Sequence, residues 1–358
     1  MMRVSLLLFL VLPLSLAAGP KASDWKAGQS IFWPKYIAEG TVYTRSVADM
    51  PVLPNSKEIA AYMKRMPGEC NKVGVTTSAN LTSFNLPVYV VDSRDPKTDW
   101  ATVDVPSFRD HMVNKEHRRV MFSGRIPIPE WAKRAEGGDH SMAIYDIGTG
   151  ILREYFCIEK NAPGRWTASY GGYVTNFRTL AKRNYAMRME NGTCFAPGIL
   201  GGPAQIGVEE ARRGKICHAV CFTMASPAKR TSWPGFQNDG KNENPLAPCE
   251  CQWFRLPPKL NLRKLDLKPL TYLVAKAVQE HGGFASDKNL FCHAFNFEPG
   301  YAEEHRTGKD PWAKGGELWE KYQLRDNLMN DFPWELTEWA PPDWGKDGRR
   351  SAVHKNAK

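Results

Sequence analysis

From about residue 86 the chain breaks into short runs rich in β-branched and aromatic residues, each bounded by turn-forming residues. That texture restricts the fold more than any other feature of the sequence. Leu86 to Val91, Ala101 to Val105, Val120 to Ile128, Ser141 to Asp146, Ile151 to Ile158 and Trp166 to Val174 read as strands. Ile147-Gly148-Thr149-Gly150 reads as a hairpin connection, glycine supplying the positive φ of the turn. Lys215 to Met224 alternates Ile216, His218, Val220 and Phe222 with Cys217, Ala219, Cys221 and Thr223, and Cys251 to Leu256 and Leu290 to Phe297 read as further strands.

Helices are few. Asn55-Ser56-Lys57-Glu58 forms a capping arrangement before Ile59, Tyr62, Met63 and Met66 at helical spacing, with Pro67-Gly68 as the expected stop. Val208 to Arg213 is short and ends at Gly214, and Pro269 to His281 carries one apolar stripe closed by Gly282-Gly283. Many short strands with few helices predict a mainly β fold, a jelly-roll-like β-sandwich with a few helical decorations. The expected organisation is a signal peptide at 1–18, an irregular leader at 19–50, the sandwich at 51–300, a Trp-rich extension at 301–344 packed on it, and a basic disordered tail at 345–358. Five of the twelve tryptophans fall in the last fifty residues; left exposed, they would invite aggregation.

The compartment follows from the start of the chain. Arg3, the apolar stretch Val4 to Leu16 and the small residues up to Ala18 and Gly19 have the order of a secretory signal, too short to span a membrane. A secreted, extracellular protein is expected, with no membrane span. Eight cysteines suit an oxidising compartment and read as up to four disulfides among Cys70, Cys157, Cys194, Cys217, Cys221, Cys249, Cys251 and Cys292. Asn80 and Asn191 open glycosylation sequons. Of the net charge of +10, the tail from Gly345 contributes +4, so the body is only mildly basic. That distribution points to anionic glycans or surfaces and away from nucleic acid.

No phosphate loop, dinucleotide fingerprint, His-Glu-x-x-His helix or nucleophile elbow occurs in the sequence. Cys217 and Cys221, four residues apart on a strand, would stand about 13 Å apart, too far to share one metal. No metal or cofactor is therefore expected. The polar residues at strand ends and loops offer the chemistry instead. Asp139, His140, His218 and Asp239 are the catalytic candidates, and Trp166, Tyr170 and Trp233 the substrate-binding ones. Structural readings stand beside them: His218 as a satisfied core histidine, Asp239-Gly240 as a turn, and Trp166 with Tyr170 as core.

Pro54-Asn55-Ser56, Ile126-Pro127-Ile128-Pro129, Asp139-His140, Trp166 through Gly172, Gly198 through Gly202, Arg213 through Ala219 and Ser232-Trp233-Pro234 with Asp239-Gly240 follow one another along the chain. In that order they resemble a poorly characterised family of secreted, mostly bacterial proteins, over roughly Asn55 to Asn296. Members of the family often carry Asp where Cys217 stands, and Ser or Thr where Asn238 stands. The resemblance implies a secreted, β-rich domain and no particular activity. Three functions are compatible with the residues: a glycoside hydrolase or polysaccharide lyase, a lectin-like glycan-binding protein, and a disulfide-braced structural or effector protein. The first is the leading expectation.

Overall fold

The computed structural model describes residues 41–123, 125–179 and 185–346. The expected signal peptide, most of the leader and nearly all of the basic tail lie outside the described residues. Six α-helices and twelve strands are described: α1 Ser56–Cys70, β1 Thr77–Asn80, β2 Val88–Val91, β3 Thr102–Asp104, α2 Lys115–Met121, β4 Met142–Asp146, β5 Ile151–Ala162, β6 Arg165–Val174, β7 Asn191–Gly192, α3 Val208–Arg213, β8 Val220–Met224, β9 Trp253–Arg255, α4 Pro269–His281, β10 Gly283–Lys288, β11 His293–Asn296, α5 Tyr301–Thr307, α6 Glu317–Lys321 and β12 Glu338–Trp339.

The strands form two mixed six-stranded sheets. The first runs β1-β11-β8-β10-β9-β12, and the second runs β2-β4-β5-β6-β3 with β7 also on β6. Parallel neighbours occur in both, β1 with β11 and β8 with β10 in the first, β2 with β4 and β3 with β6 in the second. The molecule is therefore sheet-rich, compatible with a mainly β fold, and contains no closed barrel among the described residues.

Three apolar clusters follow from strand alternation. Val220, Phe222 and Phe254 face α1 and α4 on one side of the first sheet. Cys221, Trp253 and Phe284, on its other face, join Val88, Val90, Tyr145 and Leu152 of the second sheet in one cluster. Tyr89, Ile144, Tyr155 and Trp166 form the third, closed by Val120 and Met121 of α2.

Several local expectations change. Val120 and Met121 end α2 and do not open a strand, because Asn114 caps that helix by accepting the His117 N–H at 2.8 Å. Pro67 lies inside α1, which runs on to Cys70, and the Pro67 carbonyl accepts the Asn71 backbone N–H at 2.9 Å. Residues 215–219 are irregular. Gly214 closes α3 in the left-handed region at φ 71°, which a Cβ would disfavour, and extended pairing begins only at Val220.

None of the eight cysteines is bonded to another. The structure thus differs from the expectation of disulfides, for no two of the cysteines stand at disulfide distance. Cys249 lies in the α1/α4 cluster, Cys221 and Cys251 lie in the cluster shared by the two sheets, and Cys157 lies within β5, at φ 49°. Burial pushes Cys249 up to about 11 and Cys221 up to about 12, so these are inert thiols. Ellman's reagent should find eight thiols in guanidinium without reductant, the buried Cys221, Cys249, Cys251 and Cys292 reacting only on unfolding. Fewer than eight would show that bridges had formed.

Three of the late tryptophans are internal: Trp312, Trp334 and Trp339 are all at most 2% exposed. Trp339 sits in β12 and so completes the first sheet against β9.

His293 of β11 gives a pH prediction. Its Nδ1 accepts the Ala225 N–H at 3.2 Å and its Nε2 donates to the Met63 carbonyl at 2.9 Å, which fixes the neutral tautomer. Burial lowers its pKa to about 4, against the opposing pull of the Met63 carbonyl. The unfolded chain, with an ordinary value near 6.5, binds the proton first. The stability this group allows is therefore complete above pH 6.5 and is lost as pH falls from there toward 4. The loss should be roughly 3 kcal/mol. Urea denaturation of wild type against His293→Gln at pH 7 and pH 4 should show a smaller acid loss in the variant. Equal losses would refute the assignment.

Candidate functional site

The two sheets open together on a cleft of about 1100 Å³. It lies at the C-terminal ends of the parallel pair β8 and β10, where Thr223, Asp287 and Lys288 project. Open ends of parallel strands are common ligand sites, because loops diverge there and leave side chains unpacked. Tyr170 of β6 and Phe156 of β5, cross-strand partners, form an aromatic wall with Phe195.

Asp139 and Asp239, one hundred residues apart in sequence, both line this cleft. Asp139 precedes β4 at a corner where His140 takes φ 42°, an uncommon value for a side-chain-bearing residue. The corner is held by the Cys157 N–H on the Asp139 carbonyl at 2.8 Å and the Ile158 N–H on the His140 carbonyl at 3.0 Å. The side chain of Asp139 stays at the solvent rim, yet the surrounding wall strips enough water to raise its pKa. The nearby Asp239 adds to the rise, and His140 opposes it.

Asp239 comes from the long loop before β9, and Lys288 donates to its Oδ2 at 2.6 Å. Asp287 reaches the cleft through an irregularity in the β10–β8 register between Ala285 and Asp287. Such bulges re-aim a side chain. Burial raises Asp287 to about 7, Asp239 adds to this, and the Lys288 backbone N–H opposes it. Glu250 completes the group. Its carboxyl oxygens and those of Asp239 and Asp287 offer one atom each within 4.8 Å of one another.

Glu250 is fully buried, and neither of its carboxyl oxygens makes a hydrogen bond of good geometry, although the Asp239 carboxyl group and backbone N–H lie beside it. Burial pushes its carboxyl well above the usual range, and the Asp239 and Asp287 carboxyls push it further. Neither Glu250 nor Asp287 stood out in the sequence. Glu250 sits between two cysteines, in Cys249-Glu250-Cys251, which look like the informative residues of that stretch. The one cue for Asp287 was the polar Ser286-Asp287-Lys288 after an apolar start to β10.

The remaining candidates lie elsewhere. His218 is sealed in the core: its Nε2 meets Glu210 Oε2 at 2.9 Å and its Nδ1 the Ala219 carbonyl at 2.8 Å. Burial alone would lower its pKa, but the charge and hydrogen bond of Glu210, with the Ala219 carbonyl, carry it above the ordinary value. His140 pairs with Glu159 beside the cleft and is not among its lining residues.

Trp166 is 2% exposed in the cluster behind the second sheet, so it presents no face to a ligand. Trp233 stacks on Tyr185 with ring centres 5.9 Å apart, again away from the cleft. Tyr170 alone of the three aromatic candidates lines it. Asn80 lines the cleft in β1, but its side-chain nitrogen donates to Asn296 Oδ1 at 2.9 Å and to the Phe84 carbonyl at 3.2 Å. It is buried, and its side-chain amide is engaged within the fold. Asn191 is half-buried in β7.

Two sequence features find a structural explanation. The glycine-rich stretch Gly198 to Gly202 wraps a buried acid, for Glu154 accepts the N–H groups of Gly201 and Gly202 at 3.1 and 2.9 Å. Burial raises Glu154 to about 7 even so. Cys194 lines the cleft, but burial holds its thiol well above the ordinary range, which removes it as a thiolate nucleophile.

No family model, curated protein or solved structure matches the chain. The arrangement of the cleft must therefore speak for its own chemistry. It brings together a carboxyl group of raised proton affinity, a second carboxyl paired with a lysine ammonium, and aromatic rings.

Proposed function

We propose that the protein is a secreted carbohydrate-active enzyme that cleaves an extracellular polysaccharide in this cleft. The observation that carries the reading is the convergence of Asp139 and Asp239 on one hollow large enough for several sugar rings. Asp139, whose surroundings favour the protonated form, acts as the general acid on the glycosidic oxygen. Asp239, with the Lys288 ammonium against it, acts as the carboxylate that supports the developing positive charge or activates water. Tyr170 and Phe156 supply the flat faces on which sugar rings pack.

The N-terminal stretch from Arg3 to Ala18 supports export, and the mildly basic body suits an acidic polysaccharide. The two sheets, which share an apolar cluster, are read as the facing layers of a sandwich.

A panel of neutral and acidic polysaccharides tests the function. The expected result is new reducing ends, or unsaturated ends if the reaction is a β-elimination. Binding to a glycan array without any product would favour a lectin-like protein. Neither binding nor cleavage would end the carbohydrate reading.

A further inference from the structure

We propose that Asp239, Glu250 and Asp287 form a binding site for a hard divalent cation. Two oxygens bound to one Mg²⁺ or Ca²⁺ at about 2.0–2.6 Å can stand no more than about 4–5 Å apart. The three carboxyl groups satisfy that spacing, each offering an oxygen within 4.8 Å of the others.

An acidic cluster alone would be an ordinary surface feature. Glu250 makes this one different: it is fully buried, neither of its oxygens makes a hydrogen bond of good geometry, and one of them stands within 4.8 Å of an oxygen of each of two further carboxyl groups. Buried polar groups are almost always partnered, and the Asp239 backbone N–H beside Glu250 cannot by itself offset three clustered carboxyl groups, which require a proton or a metal ion. Lys288 donates to Asp239 and offsets one of the three charges. With all three carboxylates ionised, two negative charges remain, which a divalent cation neutralises. The donor set is oxygen only, which selects Ca²⁺, Mg²⁺ or Mn²⁺ over zinc. Asp287 is also pre-positioned, its Oδ1 accepting the Lys288 backbone N–H at 2.8 Å. The cation would stand in the wall of the cleft, since Asp239 and Asp287 both line it.

The site does not depend on what the cleft cleaves, so its test reads cation binding directly. Full-length mature protein, stripped with chelator, is titrated calorimetrically with CaCl₂, MgCl₂, MnCl₂ and ZnCl₂ in separate arms. One of the first three should bind with a stoichiometry of one. Glu250→Gln and Asp239→Asn should each weaken that binding at least 10-fold, and Asp139→Asn should leave it unchanged. Circular dichroism confirms that each variant is folded; should Glu250→Gln fail to fold, the exposed Asp239→Asn carries the test. No saturable binding at millimolar cation, preference for Zn²⁺, or unchanged affinity in the folded variants would overturn the proposal. Cation binding by a protein that cleaves no polysaccharide would refute the enzymatic reading and leave this one intact.

Discussion

Asp139→Asn is expected to lower polysaccharide cleavage by about 10²- to 10⁴-fold, the usual contribution of a positioned general acid. The same variant should be as stable as wild type at pH 7, or slightly more so. The sign follows from the direction of the pKa shift: the folded protein holds the Asp139 proton more tightly than the unfolded chain does. Ionisation above the ordinary carboxyl range therefore favours unfolding, and a neutral amide of the same shape removes that penalty. Asp239→Asn should reduce cleavage comparably, with loss of the Lys288 ion pair. Reducing-end assays paired with urea denaturation at pH 5 and pH 8 check both halves. Activity and stability falling together in Asp139→Asn would make Asp139 a structural residue; a rate within threefold of wild type would remove it from the chemistry.

Trp334→Ala is expected to cost about 3–5 kcal/mol of stability, the range for emptying a large aromatic site in a packed core. Trp334 is 1% exposed and lies against Phe222, Phe254, Phe295, Phe332 and His293, with ring centres 4.7–5.9 Å away. Its Nε1 also donates to Thr77 Oγ1 at 2.8 Å, tying the C-terminal segment to the edge strand β1. Chemical denaturation gives the value directly, and a loss below about 1 kcal/mol would mean that the segment is an appendage. Trp334→Phe should recover most of the packing but not the hydrogen bond.

The elements that could be read locally are those whose ends carry their own chemistry. Val208–Arg213 and Pro269–His281 have the expected bounds because Gly214 and Gly282 stop them and Pro269 starts the second. β1, Thr77–Asn80, had no such mark: its four residues are polar or small, and it is a strand only because β11 lies beside it in parallel register. Alternation likewise could not tell a pocket from a core. Trp166 and Tyr170 share a face of β6, yet one is sealed and the other reaches the cleft, a difference set by how far the packing above that face extends.

The acids were legible in proportion to their loops. Asp139 and Asp239 sit beside glycines at turns, where side chains stay free. Glu250 and Asp287 are brought in by a left-handed Cys251 at φ 62° and a register slip in β10, neither of which is written in residue type. The cysteines' number suits cross-linking, but only Cys157 and Cys221 lie in strands, the others being placed by a helix end and by loops that alternation does not describe, and no two stand at disulfide distance.

The first sheet has a further consequence for how the chain is made. β1 pairs with β11 across more than two hundred residues, and the outermost strand, β12, docks on β9 only when residues 338 and 339 have emerged. The Leu53 N–H meets the Trp339 carbonyl at 2.9 Å, and Arg45 lies 3.5 Å over the Trp344 ring, so both termini of the described chain close on the same corner. Contacts this distant in sequence cannot form until residue 339 has been made and has left the ribosome. The first sheet is therefore incomplete in any chain that stops short of residue 339, whereas the cluster built from residues 89–173 needs none of these contacts and can pack ahead of it.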